Sequence, residues 1–159
     1  MKIFVTGGAG FIGSAVVRLA VERGHHVINV DCLTYAGSFK NVESVDNLPN
    51  YSFEQCDIRY RSELDYIFDK HKPDAVMHLA AESHVDRSID GPSKFIETNV
   101  LGTFNLLEAA RFFWSEQGSP ASFRFHHIGT DEVYGSLGIN SGIKFTENTA
   151  YNPQNPYSA

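Results

Sequence analysis

Thr130, Asp131 and Glu132 stand side by side in the run Gly129–Gly135, directly after the apolar stretch Phe123 to Ile128. That stretch reads as a short buried strand. Two adjacent carboxylates at a strand end can divide proton donation and proton removal when their surroundings push their pKa values apart. The same three residues would also suit a helix start, with Thr130 as the cap and both acids against the positive dipole end. Tyr157 is a further reactive candidate. A free phenol titrates near about 10, so it needs a neighbouring cation to ionise at neutral pH. A lysine four residues later would supply one, and that position lies beyond Ala159. As one of seven tyrosines, Tyr157 could equally pack against a sheet.

The opening run, Lys2-Ile3-Phe4-Val5-Thr6-Gly7-Gly8-Ala9-Gly10-Phe11-Ile12-Gly13, satisfies GxGxxG through Gly8, Gly10 and Gly13, and GxxGxxG through Gly7, Gly10 and Gly13. Such spacing serves a tight turn, close approach of backbone to a pyrophosphate, and close packing of helix on strand. The helix behind it adds amides and a positive dipole end. Asp31 follows at the end of the next apolar run, placed to bind adenosine ribose hydroxyls and to repel a 2′-phosphate. Cys32 comes next and no arginine stands nearby, which favours NAD over NADP. Asp57-Ile58 closes a third strand, where an adenine ring could lie or a generic turn aspartate could sit. The small residues of Leu79-Ala80-Ala81-Glu82-Ser83 suit close approach of a cofactor, and the Ser83 hydroxyl could reach a substrate. His84, Asp86 and Arg87 read equally as site residues or as a local charge cluster. No HExxH run or zinc-spaced cluster exists, so no metal is expected. Cys32 and Cys56 read as inert, partly buried thiols of a reducing cytoplasm.

Strands are expected over Lys2–Thr6, His26–Val30, Tyr51–Cys56, Ala75–Leu79 and Phe123–Ile128. Helices are expected over Phe11–Arg23, with Ile12, Val16, Leu19 and Ala20 inward and Gly24 as the stop, and over Arg61–Lys70, with Leu64, Ile67 and Phe68 inward. A long helix is expected from Pro92 to Phe113, its stripe formed by Phe95, Val100, Phe104, Leu107 and Ala110. Alternating strands and helices give an α/β fold, a doubly wound parallel sheet with ligands at the strands' carboxyl ends. Residues 136 to 156, with Gly138, Gly142, Pro153 and Pro156, read as a long ordered loop of the kind that is often functional. The chain's 159 residues fit one domain, with 42% hydrophobic and 20% charged residues. A net charge of −6 argues against nucleic-acid or anionic-membrane partners. Neither a spanning apolar run nor a signal segment is visible.

These motifs together resemble the extended short-chain dehydrogenase/reductase superfamily, and within it the dTDP-glucose 4,6-dehydratases. The similarity runs through Thr6 to Gly13, Asp31 to Gly37, Leu79 to Ile89, Phe95 to Thr103, Phe123 to Gly135 and Pro156 to Ala159. The glycine motif is general to the superfamily; the Thr-Asp-Glu triplet and the HVDRS run are far more specific. The resemblance implies a Rossmann-type NAD-binding domain over 1–159, truncated before a smaller substrate-binding domain. It implies that Gly7, Gly10, Phe11, Ile12, Gly13, Asp31, Cys32, Leu33, Thr34, Asp57, Ile58, Leu79, Ala80, Ala81, Glu82, Ser83, Thr98 and Tyr157 bind NAD. Ser83 and Thr130 would contact the nucleotide sugar. Tyr157 would be the base of a C4 oxidation, Glu132 the base at C5 and Asp131 the acid at the C6 hydroxyl, with hydride returning to C6. Gly129 departs from the family, which commonly has serine there. A homodimer, formed through the long helix and the tyrosine-bearing helix, is also implied.

Two other readings compete. An epimerase or decarboxylase on the same scaffold would have no use for an acid/base pair at C5 and C6, and GDP-mannose dehydratases typically carry serine at the position of Asp131. A non-catalytic NAD-binding module is the other.

Overall fold

The computed structural model describes residues 1–138 and 142–159. Five parallel strands, β1 (Lys2–Thr6), β2 (His26–Asp31), β3 (Tyr51–Gln55), β4 (Ala75–His78) and β5 (Arg124–His127), lie in the order β3-β2-β1-β4-β5. Thr6, at the end of β1, pairs with Val30 on one side and His78 on the other. The strand order reverses between β1 and β4, so a crevice opens at their carboxyl ends. Period-two alternation sends β1 to both faces. Ile3 and Val5 pack with Val17, Val21 and Val27, while Phe4 packs with Phe68, Val76 and Leu106.

The expected first helix is α1 (Phe11–Glu22). Its buried side is Gly13, Val17, Ala20 and Val21, whereas Ile12 and Leu19, expected inside, are 63% and 47% exposed. Gly13 sets this phase. A Cβ there would lie 2.0 Å from the Gly7 oxygen, so the helix rests on main chain at that point and its contact side is rotated from the one the larger residues suggest. Gly24, at φ +79°, ends the helix with the His25 amide donating to the Ala20 carbonyl at 3.0 Å. In α2 (Arg61–His71) the expected Leu64, Ile67 and Phe68 are buried. Phe68 stacks on Phe4 at 4.6 Å, and burying such a ring contributes about 1.5–3 kcal/mol.

After the short α3 (Val85–Asp90), α4 (Ser93–Phe95) passes through a π-helical stretch, Ile96–Gly102, into α5 (Thr103–Glu116). The expected long helix exists as this continuous rod, but of its expected stripe only Phe95 and Ala110 are buried. Leu106, Ala109, Ala110 and Phe113 face the core, while Val100, Phe104 and Leu107 are exposed. Apolar residues occur nearly all round the rod, so spacing could not select a face, and the π turn shifts the phase between its two ends.

β5 also departs from expectation. It sits at the sheet edge, and of its four residues only Phe125 is half-buried. An edge strand has one neighbour, which leaves its outer flank to solvent. Of the expected loop 136–156, residues 139–141 lie outside the described residues. The described part has no regular element and is tied back where the Asn152 amide donates to the Val133 carbonyl at 2.9 Å. Among the described residues, no helix is long and apolar enough to cross a membrane.

Candidate active site

Three of the glycines do different work. Gly7, at φ +69°, occupies a left-handed conformation, and a Cβ there would sit 2.7 Å from the Ala80 nitrogen. Gly13 is barred by the Gly7 oxygen, as above. At Gly10 a Cβ would meet only the Gly7 oxygen at 3.2 Å and the Ala36 oxygen at 3.9 Å. Packing alone does not demand glycine at 10. The space beside it is the amino end of α1, which has no side-chain cap and no acid in its first turn. The amides of Phe11, Ile12 and Gly13 precede the first intrahelical bond, from the Ser14 amide to the Gly10 carbonyl at 3.0 Å. An open cradle of amides at a positive helix end suits a pyrophosphate, so these residues fit a dinucleotide. Phe11, 92% exposed, stands at its rim.

At the end of β2, Asp31 is 8% exposed and both its oxygens are held. Oδ2 accepts the Ala9 amide at 2.9 Å and Oδ1 accepts the Leu33 amide at 2.8 Å. Leu33 has φ +55°, a strained conformation for a leucine that the second bond helps to hold. The loop carrying Cys32, Leu33 and Thr34 then folds over the glycines: the Ser38 amide donates to the Ala9 carbonyl at 3.1 Å, and the Asn41 side chain donates to it at 2.7 Å. Burial, then the Asp57 and Asp31 carboxylates, push the Cys32 thiol up, and burial, then Glu63, push Cys56 up to about 12. Neither is a nucleophile at neutral pH.

The segment Leu79–Ser83 leaves β4 beside Gly7. Asn99, in the π-helical stretch next to half-buried Thr98, grips it at two points. Its Nδ2 donates to the Glu82 carbonyl at 2.9 Å and its Oδ1 accepts the Glu82 amide at 2.8 Å. The Glu82 carboxylate accepts the Tyr35 hydroxyl at 3.2 Å, and the Arg87 guanidinium lies 4.2 Å above the Tyr35 ring. Of the cluster His84, Asp86 and Arg87, the arginine therefore joins the β2 loop to the β4 loop, while exposed Ser83 faces outward from it. At the far side, burial would raise the Asp57 carboxyl, but the Arg59 hydrogen bonds, one at 2.7 Å, hold it below the usual range. Ile58 is 4% exposed and a Cβ on Gly102 would touch it at 2.8 Å. Its side chain belongs to the core, which leaves only its main chain to face a ligand.

Beyond β5, Thr130 caps a 3₁₀ turn, Asp131–Tyr134, its Oγ1 accepting the Glu132 amide at 3.3 Å. The helix-start arrangement is thus present, and it leaves the Thr130 proton free to be donated. Asp131 is exposed. Glu132 is half-buried, and its Oε2 accepts Asn155 Nδ2 at 3.2 Å. Asn155 Oδ1 in turn accepts the Ser158 amide at 2.9 Å, capping a turn that starts with Pro156 and carries Tyr157. The Tyr157 ring lies edge-on to Phe95, centroids 6.4 Å apart. One asparagine thus links Glu132 to the turn that carries the tyrosine. Asn99 and Asn155 were both missed in the sequence; the Asn-Pro dipeptide was the one available signal for the second. Among the described residues, no group of three or more His, Cys, Asp or Glu could hold a metal ion.

The sequence model of the family described as GDP-mannose 4,6 dehydratase matches residues 4–159. The chain belongs to this family. Among its curated relatives, the dTDP-glucose 4,6-dehydratase of Neisseria meningitidis is 58% identical over 99% of the chain and 45% of that protein. A dTDP-glucose 4,6-dehydratase of Escherichia coli K12 is 56% identical over 100% of the chain and 47% of that protein. The chain therefore spans just under half the length of these relatives. The crystal structure of the Streptomyces venezuelae dTDP-glucose 4,6-dehydratase with NAD and TYD bound is similar with a TM-score of 0.85 and 43% identity. It matches over 99% of this chain and 47% of that one. A UDP-glucose 4-epimerase of Thermus thermophilus in complex with NAD follows at 0.84 and 31%, over 99% of this chain and 46% of that one. The doubly wound NAD-binding fold expected from the motifs is thus shared with both dehydratase and epimerase.

Proposed function

We propose that this chain is the NAD-binding part of an enzyme that dehydrates dTDP-glucose to dTDP-4-keto-6-deoxyglucose. The observation that carries the reading is the carboxylate pair Asp131 and Glu132 behind β5, linked through Asn155 to the turn bearing Tyr157. The dehydratase relatives at 51–58% identity support it. An epimerase would have no task for that pair. The amides at the start of α1 and the small residues Ala80 and Ala81 hold the dinucleotide, and Asp31 takes the adenosine ribose hydroxyls. Bound NAD would supply a hydride acceptor for the C4 oxidation that is restored by the hydride's return at C6, so it would not be consumed. Tyr157 removes the O4 proton, and the Thr130 hydroxyl donates to the same oxygen. Once C4 is a ketone the C5 proton is acidic, and Glu132 removes it. The Asn155 hydrogen bond holds the Glu132 carboxylate in place for this task. Asp131 serves as the acid at the C6 hydroxyl, which departs as water.

Residues 1–159 form the dinucleotide domain, and a smaller domain of the whole protein holds the nucleotide. The whole protein is a cytoplasmic homodimer, joined in part through the exposed apolar side of the rod: Ile96, Val100, Leu101, Phe104 and Leu107. The test uses the whole protein with NAD and dTDP-glucose. Asp131→Asn and Glu132→Gln should each slow water loss by about 10²–10⁴ while sparing C4 oxidation, so that NADH absorbance persists in a single turnover. NAD should bind more tightly than NADP. Normal dehydration in both variants would make the triplet structural and end this reading.

A further inference from the structure

We infer that His78, a buried group used in no step above, is a positioning residue for the dinucleotide. As a neutral imidazole it orients the Thr6 hydroxyl, whose oxygen then holds the Leu79 and Ala80 amides against the glycine loop. This rests on the dinucleotide reading of the crevice.

His78 ends β4 and is 1% exposed. Its Nδ1 lies 2.7 Å from Thr6 Oγ1, and its Nε2 lies 2.9 Å from Oγ1 of Thr103, the first residue of α5. Thr6 Oγ1 also accepts the Leu79 and Ala80 amides, each at 3.2 Å; the Leu79 amide is shared with the Thr6 carbonyl, also at 3.2 Å. A hydroxyl has two lone pairs and one proton. Both lone pairs here face amides, so the proton must go to Nδ1. Nδ1 is therefore bare, and the ring hydrogen sits on Nε2 and donates to Thr103. The imidazolium does not fit, because its Nδ1–H would point at an oxygen with no lone pair left. The surroundings agree. Burial, then His127, hold the imidazole down to about 4. The rings packed against it are His127 at 5.0 Å and Phe125 at 6.2 Å between centroids.

The chain of bonds joins β1, β4 and α5 at the point where the strand order reverses. Its last link, the Ala80 amide nitrogen, is the atom that a Cβ on Gly7 would approach to 2.7 Å. The orientation of one hydroxyl therefore sets how closely the β4 loop lies on the glycine loop, and with it the width of the crevice.

The test combines nitrogen-15 NMR of the imidazole with NAD titration of the protein and two variants. At neutral pH, Nδ1 should resonate as unprotonated and Nε2 as protonated. His78→Asn keeps an acceptor, its Oδ1, near the position of Nδ1; His78→Leu does not. Both lose Thr103 and both lower the melting temperature, so a merely structural role would weaken NAD binding equally. Instead, His78→Leu should raise the NAD dissociation constant about tenfold, the worth of one such bond, and His78→Asn should restore most of the loss. Hydrogen exchange at Ala80 should be faster in His78→Leu than in His78→Asn. A ring protonated at Nδ1, or equal loss of affinity in the two variants, would overturn the proposal. If the unchanged protein binds no NAD, the dinucleotide reading falls and takes the positioning role with it, while the tautomer and the Ala80 exchange still report whether the bond chain exists.

Discussion

Around the start of α1, backbone presses on backbone: a Cβ on Gly13 would lie 2.0 Å from the Gly7 oxygen, and one on Gly7 2.7 Å from the Ala80 nitrogen. Beside β5 the contrast is plain, since a Cβ on Gly129 would meet nothing within 4 Å among the described residues. In the first region Thr6, His78 and Asp31 are almost wholly buried, with their polar atoms paired. In the second, Asp131 is exposed and Glu132 is held by a single asparagine. The proposed dinucleotide seat is thus shaped by packing, and damage there should harm fold and binding together. The edge that bears the proposed acid and base is a polar arrangement with room around it, where a substitution can leave the fold intact.

The sharpest way to break this contrast is a matched pair of glycine substitutions. Gly13→Ala should cost about 3 kcal/mol or more, because main chain must shift to admit the methyl group, and should abolish NAD binding. Gly129→Ala should change stability by no more than about 0.5 kcal/mol. Denaturant melts of the two variants measure this, and equal costs would dissolve the distinction.

A second effect belongs to the packed region alone. His78 is neutral when folded, with its pKa held down to about 4, and near about 6.5 when unfolded. Between these values the unfolded chain binds a proton that the folded chain refuses. The contribution is complete above about pH 6.5 and declines by about 1.4 kcal/mol per pH unit as pH falls toward 4, reaching about 3 kcal/mol in all. Melts at stepped pH, with His78→Asn subtracting the other titrating groups, should isolate that slope; the same slope in the variant would assign it elsewhere.

The smallest effect sharpens the other side. Asn155→Ala should slow turnover of the whole protein about tenfold, as expected for one hydrogen bond to a charged group, with KM nearly unchanged and stability close to normal. A loss confined to KM would mean that Asn155 serves substrate binding instead of Glu132.

The strands and the glycine loop were legible in the sequence because β-branched runs, glycine spacing and a terminal aspartate constrain one another locally. The buried side of α1 was not, because Gly13 sets it through a contact that carries no side-chain signal. The rod from Ser93 to Glu116 misled for a different reason: apolar on almost every side, it offered no phase, and no residue type announces a π turn. Of the candidate site, the residues themselves could be named in advance, whereas their ties through Asn99, Asn155 and His78 join positions 17 to 72 residues apart. Ile58 shows the converse, a correct neighbourhood with a side chain turned into the core.

The glycine contacts also bear on which lesions a second change can repair. A Cβ on Gly8 would strike the Asn29 side chain, Oδ1 at 2.2 Å and Cγ at 2.8 Å, and Val17 Cγ2 at 2.9 Å. Those obstacles are side chains, so a smaller residue at 29, helped by one at 17, can make room, and a genetic screen starting from a defective Gly8→Ala allele should recover suppressors that include a change at 29. The obstacles at Gly7 and Gly13 are main-chain atoms, which every amino acid carries. No substitution at the contacted positions removes them, and alleles at 7 and 13 should revert only to glycine itself.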